Sequence, residues 1–239
     1  MSGIEERLQA VEKTIVAACD EARRPPAGVR LLAVSKTFGP DAVLAAIAAG
    51  QRAFGENYVQ EGVDKIRAVA AAMTDAAPGH ALEWHFIGPI QSNKTRPIAE
   101  HFGWVHTVER EKIATRLAEQ RPAELPPLNV CVQVNISGEG SKSGVAPDEV
   151  AALCEAVARL PQLRLRGLMA IPEPAEDFAA QRAPFAAMRT LFDRLRERFG
   201  PDFDTLSMGM SADLRAAIVE GATVVRVGSA IFGARHYQP

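Results

Sequence analysis

The chain has little of what marks several large classes of protein. It carries 3 cysteines among 239 residues, and none of them shows the paired close spacing of a zinc site. The formal net charge is -2 with both signs interspersed, so the sequence has no basic footprint for nucleic acid. No window approaches the roughly 18 uninterrupted apolar residues of a membrane span. We therefore expect neither a nucleic acid nor a membrane as partner.

The remaining composition is that of an ordinary globular chain. Hydrophobic residues make up 47% and charged residues 23%, which suits one large core or at most two modest ones. Residues 1–6 lack the charged start and apolar segment of a signal peptide, so we expect a cytoplasmic protein. Cys19, Cys131 and Cys154 each sit in an apolar stretch, which predicts reduced core thiols.

Hydrophobic periodicity predicts an N-terminal helix over 2–22, capped by Ser2 and Glu5, and then a strict alternation of strands and helices. The predicted strands are 30–36, 52–56, 83–87, 104–108, 128–136, 164–171, 204–207 and 223–227. The predicted helices between them are 41–49, 58–72, 92–101, 110–120, 148–159, 178–199 and 212–220.

Such alternation requires a parallel sheet, and eight strand–helix units are the number at which a sheet closes. We predict an α/β fold, a (β/α)8 TIM-type barrel forming one domain over 1–239, with loops 73–82 and 137–147 as connections within it. An open doubly wound sheet is the alternative. It usually carries a glycine-rich dinucleotide turn after an early strand, and Thr37-Phe38-Gly39-Pro40 is not one.

Lys36 ends the first predicted strand, at the end of the barrel where active and binding sites lie. A lysine removed from bulk water has a lowered pKa and becomes a nucleophile toward carbonyl groups. Pyridoxal phosphate (PLP) carries both an aldehyde and a phosphate. The bland alternative is a lysine that extends from a strand end into solvent.

Two glycine- and serine-containing loops flank that strand once the barrel closes. Ser207–Ser211 follows strand seven and Gly228-Ser229 follows strand eight, the positions where barrels often bind phosphate. Period-two alternation points Arg226 and Lys36 inward at the same mouth. Gly228 alone could be a turn glycine, and Arg226 alone the partner of a barrel-end carboxylate.

Motifs along the whole chain resemble the YggS/PROSC family of pyridoxal phosphate homeostasis proteins. They are Ala33-Val34-Ser35-Lys36-Thr37, Phe54-Gly55-Glu56-Asn57-Tyr58, His85-Phe86-Ile87-Gly88-Pro89-Ile90-Gln91-Ser92-Asn93-Lys94, Ser141-Lys142-Ser143-Gly144, Gly167-Leu168-Met169, Leu206-Ser207-Met208-Gly209-Met210-Ser211-Ala212-Asp213, and Val225-Arg226-Val227-Gly228-Ser229-Ala230-Ile231-Phe232-Gly233. The resemblance implies a fold-type III barrel similar to that of alanine racemase.

By the same resemblance, Lys36 holds the cofactor as an internal aldimine, Arg226 faces the pyridine nitrogen, and Asn57 lies near the cofactor. The expected phosphate contacts are Ser207, Met208, Gly209, Ser211, Gly228 and Ser229. Phe38-Gly39 departs from the polar or basic residues that relatives often carry there, which puts accessory lysine contacts in doubt. We expect no metal ligand and no catalytic residue.

The function implied is binding, buffering and delivery of PLP to apo-enzymes by a monomer, in support of vitamin B6 and amino acid balance. An arginine cannot keep the pyridine nitrogen protonated, which weakens the ring as an electron sink. Alanine racemase tolerates such an arginine because it adds a second base, a tyrosine from a separate domain. This chain has only Tyr58 and Tyr237, and strand eight ends close to its last residue.

Two other functions stay open at this point: a PLP-dependent racemase or lyase, and a cofactor-free Schiff-base barrel of the aldolase type. A purely structural scaffold would leave the convergence of Lys36, Arg226 and the two loops unexplained. His85 is expected to be structural, although it could approach the cofactor. Lys142 is a candidate second acceptor for the cofactor, and Gln91–Lys94 is a cap-like segment without an assigned mechanism.

Overall fold

The computed structural model describes residues 2–73, 81–138 and 143–234. Eight parallel strands close into a barrel in the order of the sequence, with β8 paired to β1. The predicted (β/α)8 barrel with an additional N-terminal helix is therefore confirmed, and the open-sheet alternative is wrong.

Strand–helix alternation runs through the whole described chain. The strands are β1 Arg30–Val34, β2 Ala53–Glu56, β3 Glu83–Phe86, β4 Trp104–Val108, β5 Leu128–Gln133, β6 Leu163–Met169, β7 Thr205–Ser207 and β8 Val224–Val227. The helices are α1 Ser2–Glu21, α2 Pro40–Ala48, α3 Val59–Ala72, α4 Thr95–His101, α5 Glu111–Gln120, α6 Val150–Ala158, α7 Phe178–Phe199, α8 Leu214–Val219 and α9 Ser229–Phe232.

Element boundaries differ from the predicted ones mostly by one to three residues. Among the strands the largest difference is in β5, which ends at Gln133, three residues earlier than predicted. Strand β1 ends at Val34, so that Ser35 and Lys36 belong to the following turn. Two short elements were not predicted: a 3-10 turn at Pro26–Gly28 and the four-residue helix α9 directly after β8. Residues 92–94 form a 3-10 turn ahead of α4, where the sequence predicted one continuous helix.

The main apolar core lies between the barrel and its surrounding helices, and includes Ala33, Phe54, Phe86, Val105 and Val225 from the outward faces of five strands. By alternation, the residues in phase with Leu32 point into the barrel. Small apolar clusters fill part of that interior: Leu32 with Ala53 and Val224, and Trp104 with Cys131 and Met169. The rest of the interior holds buried polar groups, which build the site.

Helix α1 packs against α2, α8 and α9, so it covers the seam where β8 meets β1. Arg7 Nε donates to the Ile231 carbonyl at 2.6 Å, which ties α1 to α9. The predicted state of the cysteines is confirmed, because all three are unpaired and buried. In the part of the chain that the structure describes, no helix has the length and apolarity needed to traverse a bilayer.

Candidate functional site at the carboxyl-terminal mouth of the barrel

Lys36 lies in a tight turn directly after β1. The turn is closed by the Phe38 N–H, which donates to the Ser35 carbonyl at 3.1 Å. Thr37 has a φ of 69°, in the left-handed region, and its N–H donates to Glu61 Oε1 at 2.6 Å. A β-branched residue in this conformation stores strain of order 1–3 kcal/mol, and such strain concentrates at functional sites.

A buried ion-pair cluster supports the turn from the side of the helices. Lys65 Nζ, on α3, donates to the Ser35 carbonyl at 2.8 Å, to Glu56 Oε1 at 2.7 Å and to Glu61 Oε1 at 2.9 Å. The Ser35 hydroxyl donates to Glu56 Oε1 at 2.6 Å. Burial raises the pKa of Glu56, although Lys65 opposes the shift. The cluster holds both residues that flank Lys36, since Glu61 also accepts from Thr37.

Asn57 follows β2 and lines a cavity of about 340 Å³ at the mouth. The other lining residues are Ile87, Pro89, Thr107, Gln133, Ser143 and Ile171. Among the described residues, Asn57 Oδ1 is a buried acceptor without a hydrogen-bond partner. Gly88 is required beside it, because a Cβ there would lie 2.1 Å from the Asn57 carbonyl oxygen. A concave site lined by both apolar and polar side chains is suited to a small polar ligand.

Arg226 is buried inside the barrel and is held by uncharged acceptors. Its Nη1 donates to Ser207 Oγ at 2.9 Å, and its Nη2 donates to the Ala170 carbonyl at 3.0 Å. Burial lowers the pKa of Arg226 to about 10, with Asp213 opposing the shift, so the guanidinium stays protonated at neutral pH. In the register of β1 and β8, Arg226 is the neighbour of Leu32, four residues before Lys36.

The loop after β7 is a bend around Gly209. This residue has a φ of 92°, and a Cβ there would lie 2.4 Å from the Ala217 Cβ, so only glycine fits. Met208 is buried in the core and its N–H donates to the Val224 carbonyl, whereas Ser211 is exposed. Ser207 is fully buried below the loop.

The loop after β8 lies directly beside the strand that leads to Lys36. A Cβ on Gly228 would be 3.2 Å from the Val34 carbonyl oxygen, so the two backbones are in close contact. Ser229 begins the short helix α9 and is exposed. Barrels often bind phosphate with the loops after strands seven and eight and a short extra helix, and this mouth has all three.

Several of the residues that we singled out from the sequence lie elsewhere. His85 is fully buried within the barrel, where Nδ1 lies 2.9 Å from His106 Nε2. Lys142 and Tyr237 lie outside the described residues. The side chain of Ser2, half of the predicted capping box, also lies outside what the structure describes. Tyr58 lies beside Asn57, exposed to solvent.

The sequence analysis missed His106, Lys65 and Glu56 as parts of the site. His106 shares its inward phase on β4 with Trp104, a signal that period-two alternation could have provided. Lys65 is one of many charged residues on a helix, and no local pattern distinguishes it from a solvated one. A larger cavity, of about 550 Å³, opens at the opposite end of the barrel and is lined by Arg30 and Glu83 among others.

The fold and the composition of the mouth define a class: (β/α)8 barrels with a lysine after the first strand and glycine- and serine-containing loops after the last two. The sequence pattern described as "Alanine racemase, N-terminal domain" matches residues 7–236. The chain belongs to the family of pyridoxal phosphate homeostasis proteins. It is 61% identical over 99% of its length to the member from Pseudomonas aeruginosa, covering 98% of that protein. It is 55% identical over 99% of its length to the member from Escherichia coli K12, covering 99% of that protein.

Solved structures agree with this assignment. The structure of an unknown protein from Bifidobacterium adolescentis superposes with a TM-score of 0.89 at 33% identity, covering 96% of this chain and 94% of that one. PipY of Synechococcus elongatus with PLP bound gives a TM-score of 0.78 at 36% identity, over 96% of this chain and 100% of PipY. Alanine racemase from Corynebacterium glutamicum, at 16% identity and a TM-score of 0.67, shares the fold over 98% of this chain and 62% of that enzyme.

Proposed function

We propose that this chain binds pyridoxal 5'-phosphate at the carboxyl-terminal mouth of the barrel, with Lys36 as its covalent attachment point. One observation carries the proposal: closure of β8 onto β1 brings the Lys36 turn, Arg226 and the Gly228 loop to one mouth. Leu32 is in register with Arg226, and Gly228 contacts the Val34 backbone two residues before Lys36.

The relatives support the same cofactor. Curated proteins at 52–61% identity are named pyridoxal phosphate homeostasis proteins, and the PipY structure is described as containing PLP. Bound PLP supplies an aldehyde, a pyridine nitrogen and a phosphate, which this mouth can engage with an amine, a guanidinium and a pair of loops. Asn57, which lines the cavity at the mouth, is the proposed further polar contact.

Lys36 would hold the cofactor through its aldehyde carbon: the amine nitrogen would replace the carbonyl oxygen, with release of one water. The ion-pair cluster of Lys65, Glu56 and Glu61 holds the turn, and therefore limits the directions in which Lys36 can extend.

The phosphate is proposed to lie against the backbone of Gly209, Ser211, Gly228 and Ser229, near the start of α9. Ser207 and Met208 are the less direct members of this set. The Ser207 hydroxyl already binds Arg226 and lies within hydrogen-bond distance of His106, and the Met208 N–H is paired within the sheet. We propose that Ser207 holds the Arg226 guanidinium by hydrogen bonding, and that Met208 holds the loop by its burial in the core.

Arg226 favours a carrier over a conventional PLP enzyme. A guanidinium that stays protonated would donate to the pyridine nitrogen and could not accept its proton, so the ring would be a poor electron sink. We propose that the chain buffers PLP and hands it to apo-enzymes as a cytoplasmic monomer, without turnover of its own.

The test is a titration of PLP-free protein with PLP, followed by absorbance, for the wild type, Lys36→Ala and the control Lys94→Ala. We expect a yellow adduct in the wild type and the control, and none in Lys36→Ala. Exchange of the amino acid α-proton with deuterated solvent, measured in parallel, should not exceed the rate of free PLP. A colourless wild type, or exchange far above free PLP, would contradict binding or the carrier role respectively.

A further inference from the structure

A hydrogen-bonded chain crosses the interior of the barrel and ends at Arg226. Arg226 Nη1 lies 2.9 Å from Ser207 Oγ, and Ser207 Oγ lies 2.8 Å from His106 Nδ1. His106 Nε2 lies 2.9 Å from His85 Nδ1, and His85 Nε2 lies 3.3 Å from Glu83 Oε2. Side chains from β3, β4, β7 and β8 are thus joined in one line.

The hydrogen-bonded chain is buried except at one end. Ser207, His106 and His85 are fully buried and Arg226 is nearly so. Trp104 stacks on His85 with ring centroids 5.2 Å apart and planes 10° from parallel. Glu83 is half-exposed, forms an ion pair with Arg30, and lines the cavity at the amino-terminal end of the barrel.

The two ends of the chain decide where every proton between them lies. A guanidinium can only donate, so Ser207 Oγ accepts from Arg226. At the other end the hydrogen bond from His85, with further help from Arg30, lowers the pKa of Glu83, so this group is a carboxylate that can only accept. His85 therefore carries its proton on Nε2, His106 carries its proton on Nε2, and the Ser207 hydroxyl donates to His106 Nδ1.

Both histidines are neutral in this arrangement. Burial lowers the pKa of His85, and it lowers that of His106 well below the ordinary value, with the neighbouring His85, Arg226 and Arg30 adding to the shift. A protonated His106 would have no acceptor to offer Ser207 and would put a second cation close to Arg226. When both histidines are neutral, His106 Nδ1 is free of a proton and can accept from Ser207, the residue that binds Arg226.

We propose that His106 is a positioning residue for Arg226: by accepting from the Ser207 hydroxyl, it fixes the serine oxygen that orients the guanidinium toward the cofactor. The direction in which Arg226 points rests on the proposed function. The tautomers do not, because they follow from the chain of contacts in the protein alone. Without the acceptor at His106, Ser207 would rotate to find another one and the guanidinium would lose a fixed partner.

The first test uses the PLP-free protein with 15N-labelled histidine, whose ring nitrogens are observed by long-range proton–nitrogen NMR at neutral pH. Assignment comes from the loss of signals in His106→Asn. We expect His85 and His106 to be neutral, each with a protonated Nε2 and an unprotonated Nδ1. A protonated His106 Nδ1, or a charged imidazolium at either position, would overturn the inference whether or not the protein binds PLP.

The second test compares His106→Asn with His106→Gln. The asparagine amide oxygen can occupy the place of Nδ1 and still accept from Ser207, whereas the glutamine amide reaches the place of Nε2. His106→Asn loses the hydrogen bond to His85 but keeps an acceptor beside Ser207. His106→Gln can keep the hydrogen bond to His85 but loses the acceptor beside Ser207. Thermal unfolding of both variants checks that each one is folded.

We expect PLP affinity and the absorbance maximum of the adduct to stay close to wild type in His106→Asn, and the affinity to fall about tenfold in His106→Gln. The pH at which the adduct spectrum changes should also move in His106→Gln alone. Wild-type affinity and spectrum in His106→Gln would overturn the positioning role. If the wild type binds no PLP, the proposed function fails, and the N–H resonances of the Arg226 guanidinium decide: unchanged resonances in His106→Gln would overturn the inference.

Discussion

Lys65 Nζ lies 2.7 Å from Glu56 Oε1, and both side chains are almost completely buried next to the turn that carries Lys36. The same ammonium also binds the Ser35 carbonyl at 2.8 Å. A charge pair at this depth is costly to desolvate, and one strained residue, Thr37, is held by the same cluster. The pair therefore connects the stability of the barrel to the geometry of the proposed attachment site.

Replacing Lys65 by methionine leaves the Glu56 carboxylate buried without its counter-charge. We expect Lys65→Met to lower the free energy of unfolding by about 3–5 kcal/mol, measured by denaturant titration. The matched control is Arg96→Met, which breaks the exposed pair with Glu100 and should cost less than about 1 kcal/mol. Equal costs in the two variants would show that the buried cluster does not support the fold.

Stability should fall as the pH drops below the ordinary pKa of histidine, about 6.5. His85 and His106 have lowered pKa values in the folded protein, so the unfolded chain binds protons that the folded one does not. Each such proton reduces the free energy of unfolding by up to about 1.4 kcal/mol per pH unit.

The control for this pH effect is His106→Asn, measured by denaturant titration between pH 7.5 and 5.5. The free energy of unfolding of this variant should depend less steeply on pH, because one histidine fewer takes up a proton on unfolding. The raised pKa of Glu56 acts in the opposite sense, but it is present in both proteins and cancels in the difference. Parallel curves would mean that His106 titrates normally in the folded state.

Gly209→Ala should both destabilise the loop after β7 and weaken PLP binding. An alanine at this position must adopt a φ of 92°, and its Cβ would lie 2.4 Å from the Ala217 Cβ. The matched control is Gly200→Ala, with a φ of 83° and nothing within 4 Å of an added Cβ, which isolates backbone strain of order 1–3 kcal/mol. We expect a larger loss of melting temperature and PLP affinity in Gly209→Ala. Equal PLP affinity in the two variants would remove this loop from the site.

The cysteines should be inert toward thiol reagents in the native protein. Burial raises the pKa of all three thiols, that of Cys154 to about 12, so little thiolate is present at pH 8. We expect no rapid reaction with a thiol-specific chromogenic reagent until denaturant is added, and then reaction of all three. A rapidly reacting thiol in the folded state would point to local opening.

The barrel was predictable because the same sequence pattern recurs along the chain: a short apolar run, which forms a strand, is followed by an amphipathic helix. Strand β4, for example, was predicted with its observed limits, Trp104–Val108. The end of β1 was not, since Ser35 and Lys36 continue the strand-like pattern. Their turn is supported by Lys65, thirty residues away in sequence, which binds the Ser35 carbonyl. A contact at that sequence distance leaves no mark on the local periodicity.

The interior chain shows a second limit of sequence reasoning. From the sequence His85 was expected to be structural, and its partner His106 was not considered. Their rings meet only because the barrel closes and turns both toward its axis, where His106 reaches Ser207 on β7. Alternation places each residue on a face of its strand, but it does not say which inward residues touch.

The most direct test of the account is the site of covalent attachment. The PLP-loaded protein is reduced with borohydride, digested and mapped by mass spectrometry, with Lys36→Ala as the comparison. We expect the phosphopyridoxyl mass on Lys36 in the wild type and no labelled lysine in the variant. A wild-type label on any other lysine, or a labelled Lys36→Ala protein that retains full PLP binding, would contradict the assignment of Lys36 as the attachment point.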